Sequence, residues 1–555
     1  MTELVMRPPE QVMTLSRLGS LHQCRLSFMR QLLRRMRREN WQISRPGFEI
    51  NIRGEGVAVY TAKGPQRSYS LIAFAHDLPD EMRSDRVIAT AWDATFTLFD
   101  GTPTPDDVER LRANVPLQEA GRVSNKELSL SRANRSARLW NYVVDCLAKG
   151  EQPEAEELTN VGYLMRTTAV YGSGKFGASD RAFVAARPEF EPPFQVEMLS
   201  VYLTRAFVAD LVEHMAALKA PDKAVSLKPS LRRSLGIGNS TGLGMAPFLV
   251  NHPRLLNNWI TAREYALAKI RALPDASVAD IGAFKAAFEK ACGSVALWKS
   301  DHPIQQAKLA ALRKDITALQ AKLVDFTGAA SQPWNALYLW SESALSEEGQ
   351  ELLVSLLMEP QSALLEGLGA CMQADEHALF RIDGAMPLSD LKALIQTHYA
   401  WALATDWQSH EASARLWYVS EAKLEPRLGE RFEEPLEPYE QPLAPGRDAS
   451  LLFAALENTT HKTVAAFLAA HPEHRHIVRR VQMAPSHPYG EIRDNTISAS
   501  MKPIDMLRAK LSFFGATHFD PRSDRWVRIN MFRGAPYPNE LVEEQGDTWV
   551  YGATP

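Results

Sequence analysis

The sequence predicts an α+β fold that is predominantly helical, and three observations carry the prediction. An early block alternates apolar and polar residues with a period of two, a long middle repeats its apolar residues every three or four, and a proline-rich break precedes a mixed C-terminal segment. The organisation expected is an N-terminal helix with an antiparallel β-meander over residues 1–116 and a helical domain with two glycine-rich loops over 117–331. A mainly helical extension over 332–431, a proline-rich linker over 432–450 and a C-terminal α+β segment over 451–555 complete it. The chain of 555 residues, 45% hydrophobic and 23% charged, is long enough for roughly two to four domains with substantial cores.

Taken in order, residues 11–38 contain no Asp or Glu but carry Arg17, Arg25, Arg30, Arg34, Arg35, Arg37 and Arg38. Leu15, Leu18, His22, Leu26, Met29, Leu33 and Met36 fall on one helical stripe. This suits a first core helix with a solvated basic face; a transit helix, a membrane-surface helix and a nucleic-acid arm share the composition. Phe48, Ile50 and Ile52 then alternate with polar residues, Gly54 and Gly56 mark a turn, and Val57 and Val59 resume the alternation. KGPQ at 63–66 is the next turn, SYSLIAFAH a third strand, and residues 86–99 a fourth.

Helical spacing covers residues 129–149, 193–218, 253–273 and 303–326. Leu309, Leu312, Ile316, Leu319, Leu323 and Phe326 form a seam that fits an antiparallel neighbour in a bundle. Pro435, Pro438, Pro442 and Pro445 among acidic residues read as an extended linker. A helix with Leu451, Phe453 and Leu456, the segment HKTVAAFLAAH, and strands around 525–532 follow.

The formal net charge of −4 supplies no overall basic field, so nucleic acid is not expected as a partner. Cys24, Cys146, Cys292 and Cys371 stand singly without a CxxC spacing, against a disulfide framework or a thiolate zinc site and in favour of a reducing cytoplasm. No run of about 18 apolar residues could span a bilayer, and no secretory signal opens the sequence.

Chemistry concentrates in two glycine-rich stretches. In LGIGNSTGLGMAPFLVNHPRLL at 235–256, Gly236, Gly238, Gly242 and Gly244 permit close backbone approach, and Asn239, Ser240 and Thr241 supply donors. Lys228, Arg232 and Arg233 add positive charge and Pro253 starts a helix, so the stretch has the parts of an anion nest. A tight connection that lets helices approach is the competing account. The stretch lacks GxxxxGK[ST] and the setting of a dinucleotide fingerprint.

The second, LMRTTAVYGSGKFGASDR at 164–181, repeats that chemistry. Arg166, Thr168, Ser173 and Arg181 suit a carboxylate or phosphate, and Tyr171 or Lys175 could serve as general acid or base. A polar loop with its cations in salt bridges explains it equally. The order glycine, hydroxyl, glycine and then His252-Pro253 is similar to a substrate-carboxylate loop of the fumarase and aspartase lyases; apart from that resemblance, His252 is a candidate catalytic group as a histidine base. That family's second signature is missing, since ISASMKPID at 497–505 has its ingredients in another order; no catalytic residue is carried over.

His461, His471, His474, His476 and His487 crowd one region without HExxH or a second acidic cluster, which leaves a metal-dependent enzyme as a minor alternative. His487, Tyr489, Glu491, Arg493, Asp494 and Lys502 form a polar stretch that reads as a functional or a solvated loop. His76, Asp77 and Asp93 sit beside buried-looking strands, where a His76–Asp93 pair could orient a base or serve structure alone. The expectation is an enzyme for a small anionic metabolite, with a cofactor-independent lyase as one form. It needs no cofactor or metal and is compatible with a homo-oligomer. The alternative from another class is a binding or assembly protein that uses the basic helix and the proline-rich arm.

Overall fold

A computed structural model describes the chain outside residues 1–3, 21, 80–90, 118–122, 168–176, 179–183, 185, 243–248, 299–302, 373–379, 411, 413–415, 420–426, 429–440, 493–511, 516–517, 524–525, 544–545, 547 and 552–555. The chain divides into two compact units. One, the helical unit, comprises Met1–Leu21, Leu243–Ala272 and Cys371–Lys510; the other, the sheet unit, comprises His22–Gly242, Leu273–Ala370 and Leu511–Pro555. α+β with substantial helix is therefore the observed class. Among the described residues no helix is long and apolar enough to cross a membrane.

The sheet unit is organised by ten strands: β1 (Gln42–Ile50), β2 (Gly56–Lys63), β3 (Ser68–Ala75), β4 (Ala94–Asp100), β5 (Glu127–Arg135), β6 (Tyr163–Thr167), β7 (Gly177–Ala178), β8 (Gly236–Gly242), β9 (His518–Ser523) and β10 (Trp526–Met531). Their order is β1-β2-β3-β4-β5-β6-β8-β10-β9, with β7 attached to β5. The meander predicted from the period-two pattern thus runs on past Pro116 into a stretch expected to be helical. Residues 127–135 are strand, buried without a break from Glu127 to Ser131 because both faces of the sheet are covered there, and helical spacing begins only with Trp140–Ala148. The sheet is mixed rather than antiparallel: β6 and β8 run parallel, and the C-terminal hairpin β9–β10 adds beside β8.

A long helix, α3 (Gln195–Lys219), packs along one face of this sheet, where Phe207 meets the rings of Phe48, Tyr60 and Phe96. The opposite face is partly covered by α2 (Pro105–Arg112), and Val57, Val59, Ile72, Phe74, Phe99 and Leu130 close there on Leu111 and Val115. Thr104 and Asp107 form a capping box that fixes where α2 starts. Helices Val278–Ala296, Pro303–Val324, Pro333–Ala344 and Glu347–Leu357 complete the unit, with Leu312, Leu319 and Leu323 of the predicted seam buried.

The basic N-terminal stretch does not form one helix. Within the sheet unit α1 spans Phe28–Arg38 and buries Met29, Leu33 and Met36, as the stripe requires. Its arginines are largely engaged inside the unit. Arg30, fully buried, donates to both Glu359 oxygens at 2.8 and 2.6 Å, and Arg38 pairs with Glu366 at 2.5 Å. Arg34 donates to the Arg25 carbonyl and Arg37 to that of Gly546.

In the helical unit, helices Leu388–His398, Pro445–Glu457, Val464–Ala470 and Arg475–Met483 share one core built on Leu391, Ile395, Leu452, Phe467, Ile477 and Val481. The last residues of the expected linker are helical: Pro445 takes the first helical position, where its missing N–H costs nothing, and Asp448 lies in the first turn. Arg7 reaches Glu264 on helix Pro253–Arg271 with two hydrogen bonds of 2.8 and 2.7 Å.

Candidate functional site

The glycine-rich stretch at 236–242 is a strand, not a loop. Ile237 to Gly242 pair in an unbroken antiparallel register with Met531 to Trp526, so the backbone groups along that edge serve the ladder. The glycines answer to packing. A Cβ on Gly238 would lie 2.6 Å from Tyr163 Cγ, and one on Gly236 would lie 2.5 Å from the Met531 carbonyl oxygen. Gly242, opposite Trp526, ends the strand.

What the fold does bring together are the two stretches themselves. Gly162, in the left-handed conformation at φ +75°, ends helix Ala155–Val161 and turns the chain into β6. β6 then runs parallel to β8, with Tyr163 beside Gly236 and Arg166 beside Gly238. The two strands therefore cross the sheet in the same direction, with Arg166 near the carboxyl end of β6. β7, the return from the second glycine-rich stretch, pairs with β5 at Ser129 and Leu130. Thr168, Tyr171, Ser173, Lys175 and Arg181 lie outside the described residues, as do Arg493, Asp494 and Lys502. Asn239, Ser240 and Thr241 are placed by their backbone pairing alone.

Arg166 belongs to a polar row that crosses the sheet. Asn134 stands directly opposite it on β5, Asp93 continues the row beyond Ala94, and His76 continues it beyond Ala75. Hydrogen bonds fix this row: the His76 amide donates to the Asp93 carbonyl at 2.8 Å, and the Asp93 amide donates to Asn134 Oδ1 at 3.0 Å. The next residues on the same face are Thr95 and Arg132, opposite one another on β4 and β5. The Arg132 guanidinium lies 4.3 Å from the centre of the Trp92 ring. Directly opposed residues share a face, so one patch combines Arg132, Asn134, Arg166, Thr95 and His76.

The expected His76–Asp93 side-chain pair is not what forms. Asp93 Oδ2 accepts the Arg135 amide at 2.9 Å, and its carboxylate lies 3.6 Å from Arg135 Nε; the His76 ring instead meets Thr95 Oγ1 at 3.2 Å through Nε2. Burial pushes the His76 pKa below its ordinary value, with Asp93 and Glu55 opposing.

Arg232 stands elsewhere. On the short helix Pro229–Ser234 it donates to Asp210 Oδ1 at 2.6 Å, lies 3.6 Å from Glu213 and covers the Tyr537 ring at 4.5 Å. Burial alone would lower its pKa; Tyr537, Glu213 and Asp210 outweigh that and raise it. Asp210 also accepts from Tyr60 at 2.6 Å and from Arg45 at 2.9 Å, which makes this a balanced internal network rather than a flank of the glycine-rich strand.

His252 lies in the other unit, at the N-cap of helix Pro253–Arg271. The C-terminal histidines pair with carboxylates: His476 with Asp448 at 3.0 Å and His471 with Glu473 at 3.2 Å. Glu491 accepts from Arg480 and from Tyr399, and His487 bonds Ser486 at 2.8 Å. Among the described residues, no three His, Cys, Asp or Glu side chains are grouped to hold a metal ion.

Arg132 and Asn134 were not singled out in the sequence because SRANR reads as the start of a helix. The available signal was its alternation, with Arg132, Asn134 and Thr95 on one face and Ser131, Ala133 and Phe96 on the other. Compared with protein-family models, curated proteins and solved structures, the chain matches none.

Proposed function

We propose that the protein is an enzyme for a small anionic metabolite bearing a carboxylate or phosphate, bound on the sheet face at Arg166 and acted on by general acid–base chemistry. The observation that supports it is the parallel pairing of β6 with β8, which sets Arg166, near the carboxyl end of β6, beside Gly238. In open sheets with parallel strands, ligands gather outside the carboxyl ends of those strands. Arg166 and Arg132 on one face suit an oxyanion, because planar guanidiniums bind carboxylate and phosphate oxygens in pairs.

Tyr171 and Lys175, which follow β6 in the sequence, are the proposed acid and base, with Thr168, Ser173 and Arg181 as further contacts. An elimination or addition needs no cofactor beyond such groups, and the sequence carries no nucleotide or metalloprotease fingerprint. Arg232 and His252 are left out of the proposed site.

Calorimetric titration with phosphate, sulfate, malonate and citrate tests the proposal. Arg166→Ala should weaken the best anion by about ten- to a hundredfold, the loss of one charged hydrogen bond of roughly 1.5–3 kcal/mol. Binding that is unchanged in Arg166→Ala, or no binding by any of the four, would overturn it.

A further inference from the structure

From the polar row on the sheet we infer that His76 is an acid–base residue of the same site, facing the anion held by Arg132 and Arg166. The inference rests on the proposed anion site and goes one step further, since it adds to Tyr171 and Lys175 a proton-handling group on the sheet face itself and states the reach its substrate must have.

Three features of the geometry support this. His76, Asp93, Asn134 and Arg166 occupy one cross-strand row over β3 to β6, and the His76 ring bonds Thr95, whose opposite neighbour is Arg132. His76 is half-buried, so its ring is held in place and yet reachable. Asp93, the carboxylate that would ordinarily claim such a histidine, is turned to Arg135.

With a proton on Nε2 donated to Thr95, the His76 Nδ1 lone pair is the basic position. In the step inferred, a C–H or O–H bond of the substrate breaks, its electron pair stays on the substrate, and the proton forms an N–H bond at Nδ1. The resulting imidazolium returns that proton to the product or to water, so no oxidant or reductant enters. Three strand spacings separate His76 from Arg166, roughly 14 Å between Cα atoms, with β4 and β5, the latter carrying Arg132, between them. Such a span fits a substrate whose acidic C–H or O–H lies a few bonds from its anionic group.

Among the described residues, Asp93 ahead of β4 and Glu55 in the turn before β2 act on His76, Asp77 is its chain neighbour, and Arg132 and Arg135 on β5 and Arg112 of α2, 5.7 Å from the Phe74 ring centre, stand on the elements around it. Against this fixed background a bound dianion stabilises the imidazolium, and the midpoint of His76 must rise.

The test is a histidine-selective NMR titration of the full chain, with the His76 signal assigned by its loss in His76→Gln. Sulfate is the probe because its charge is constant over the range, and chloride at equal ionic strength is the control. The expected result is a rise of the His76 midpoint by about half a unit or more in sulfate, abolished in Arg166→Ala and in Arg132→Ala, while His476 stays unmoved. Arg132→Lys and Arg166→Lys, which keep the charge, give a second pair should the alanine variants not fold; they should retain part of the rise. If calorimetry shows sulfate bound and sensitive to Arg166 while His76 does not move, the role of His76 is overturned and the anion site stands. If sulfate, phosphate, malonate and citrate all fail to bind, the anion site itself fails and the inference falls with it.

Discussion

Replacing Arg30 with alanine should destabilise the sheet unit by about 3 kcal/mol, the lower end of the range for breaking a buried ion pair from one side. Arg30 is fully buried, and its guanidinium donates two hydrogen bonds to Glu359, whose side chain is only 7% exposed. Removing the guanidinium strands that carboxylate. Partial compensation comes from Arg25, which lies 4.0 Å from Glu359 Oε2, and this sets the loss near the lower limit. Arg30→Met keeps the volume and isolates the charge effect; Arg30→Met combined with Glu359→Leu should recover most of the loss, because an apolar pair of similar size removes both desolvation costs. Urea unfolding followed by tryptophan fluorescence measures it, with a midpoint shift of up to about 1 M for the single variant. A loss below about 1 kcal/mol, without recovery in the double variant, would refute the reasoning. Arg30 would then behave as a surface cation, and a macromolecule-binding arm would regain support.

Three further outcomes are expected. Gly238→Val should cost about 1–3 kcal/mol through collision with the Tyr163 ring, and combination with Tyr163→Ala should cost less than the sum of the two single changes, as a double-mutant unfolding cycle would show. Arg7→Ala should leave the buried Glu264 with Arg263 alone at 2.9 Å, destabilising the helical unit by about 3 kcal/mol and raising amide hydrogen exchange in helix Pro253–Arg271. The Asp448 hydrogen bond raises the His476 pKa above 6.5, so the stability from this pair is complete below that pH and is lost as pH rises through the raised value. Asp448→Asn should bring the His476 NMR midpoint down toward 6.5.

Local periodicity made the elements legible, and long-range pairing was beyond it. The alternation in 48–59 describes two strands of a hairpin and the spacing in 303–326 one helix, each seen from its own neighbours, and all three elements formed. That Trp526–Met531, nearly three hundred residues downstream, adds beside Gly236–Gly242 is decided by strand pairing, which leaves no local period. Gly236 and Gly238 carried real information, but it concerned how closely Met531 and Tyr163 approach, and no spacing rule separates that demand from a nest for an anion. In the same way, Arg232 beside those glycines suggested an anion donor until Asp210, over twenty residues earlier, claimed it. Arg166 was visible from its own stretch. His76, Asn134 and Arg132 became its companions only through the register of four strands.

The central claim, that an oxyanion binds on this sheet face, is tested most directly by a crystal of the protein soaked in selenate and located by its anomalous signal. The account predicts a selenate within hydrogen-bonding distance of the Arg166 guanidinium, on the face that carries Thr95, Arg132 and His76, and its loss in crystals of Arg166→Ala. Selenate found only at other positions, with none at Arg166, would contradict it.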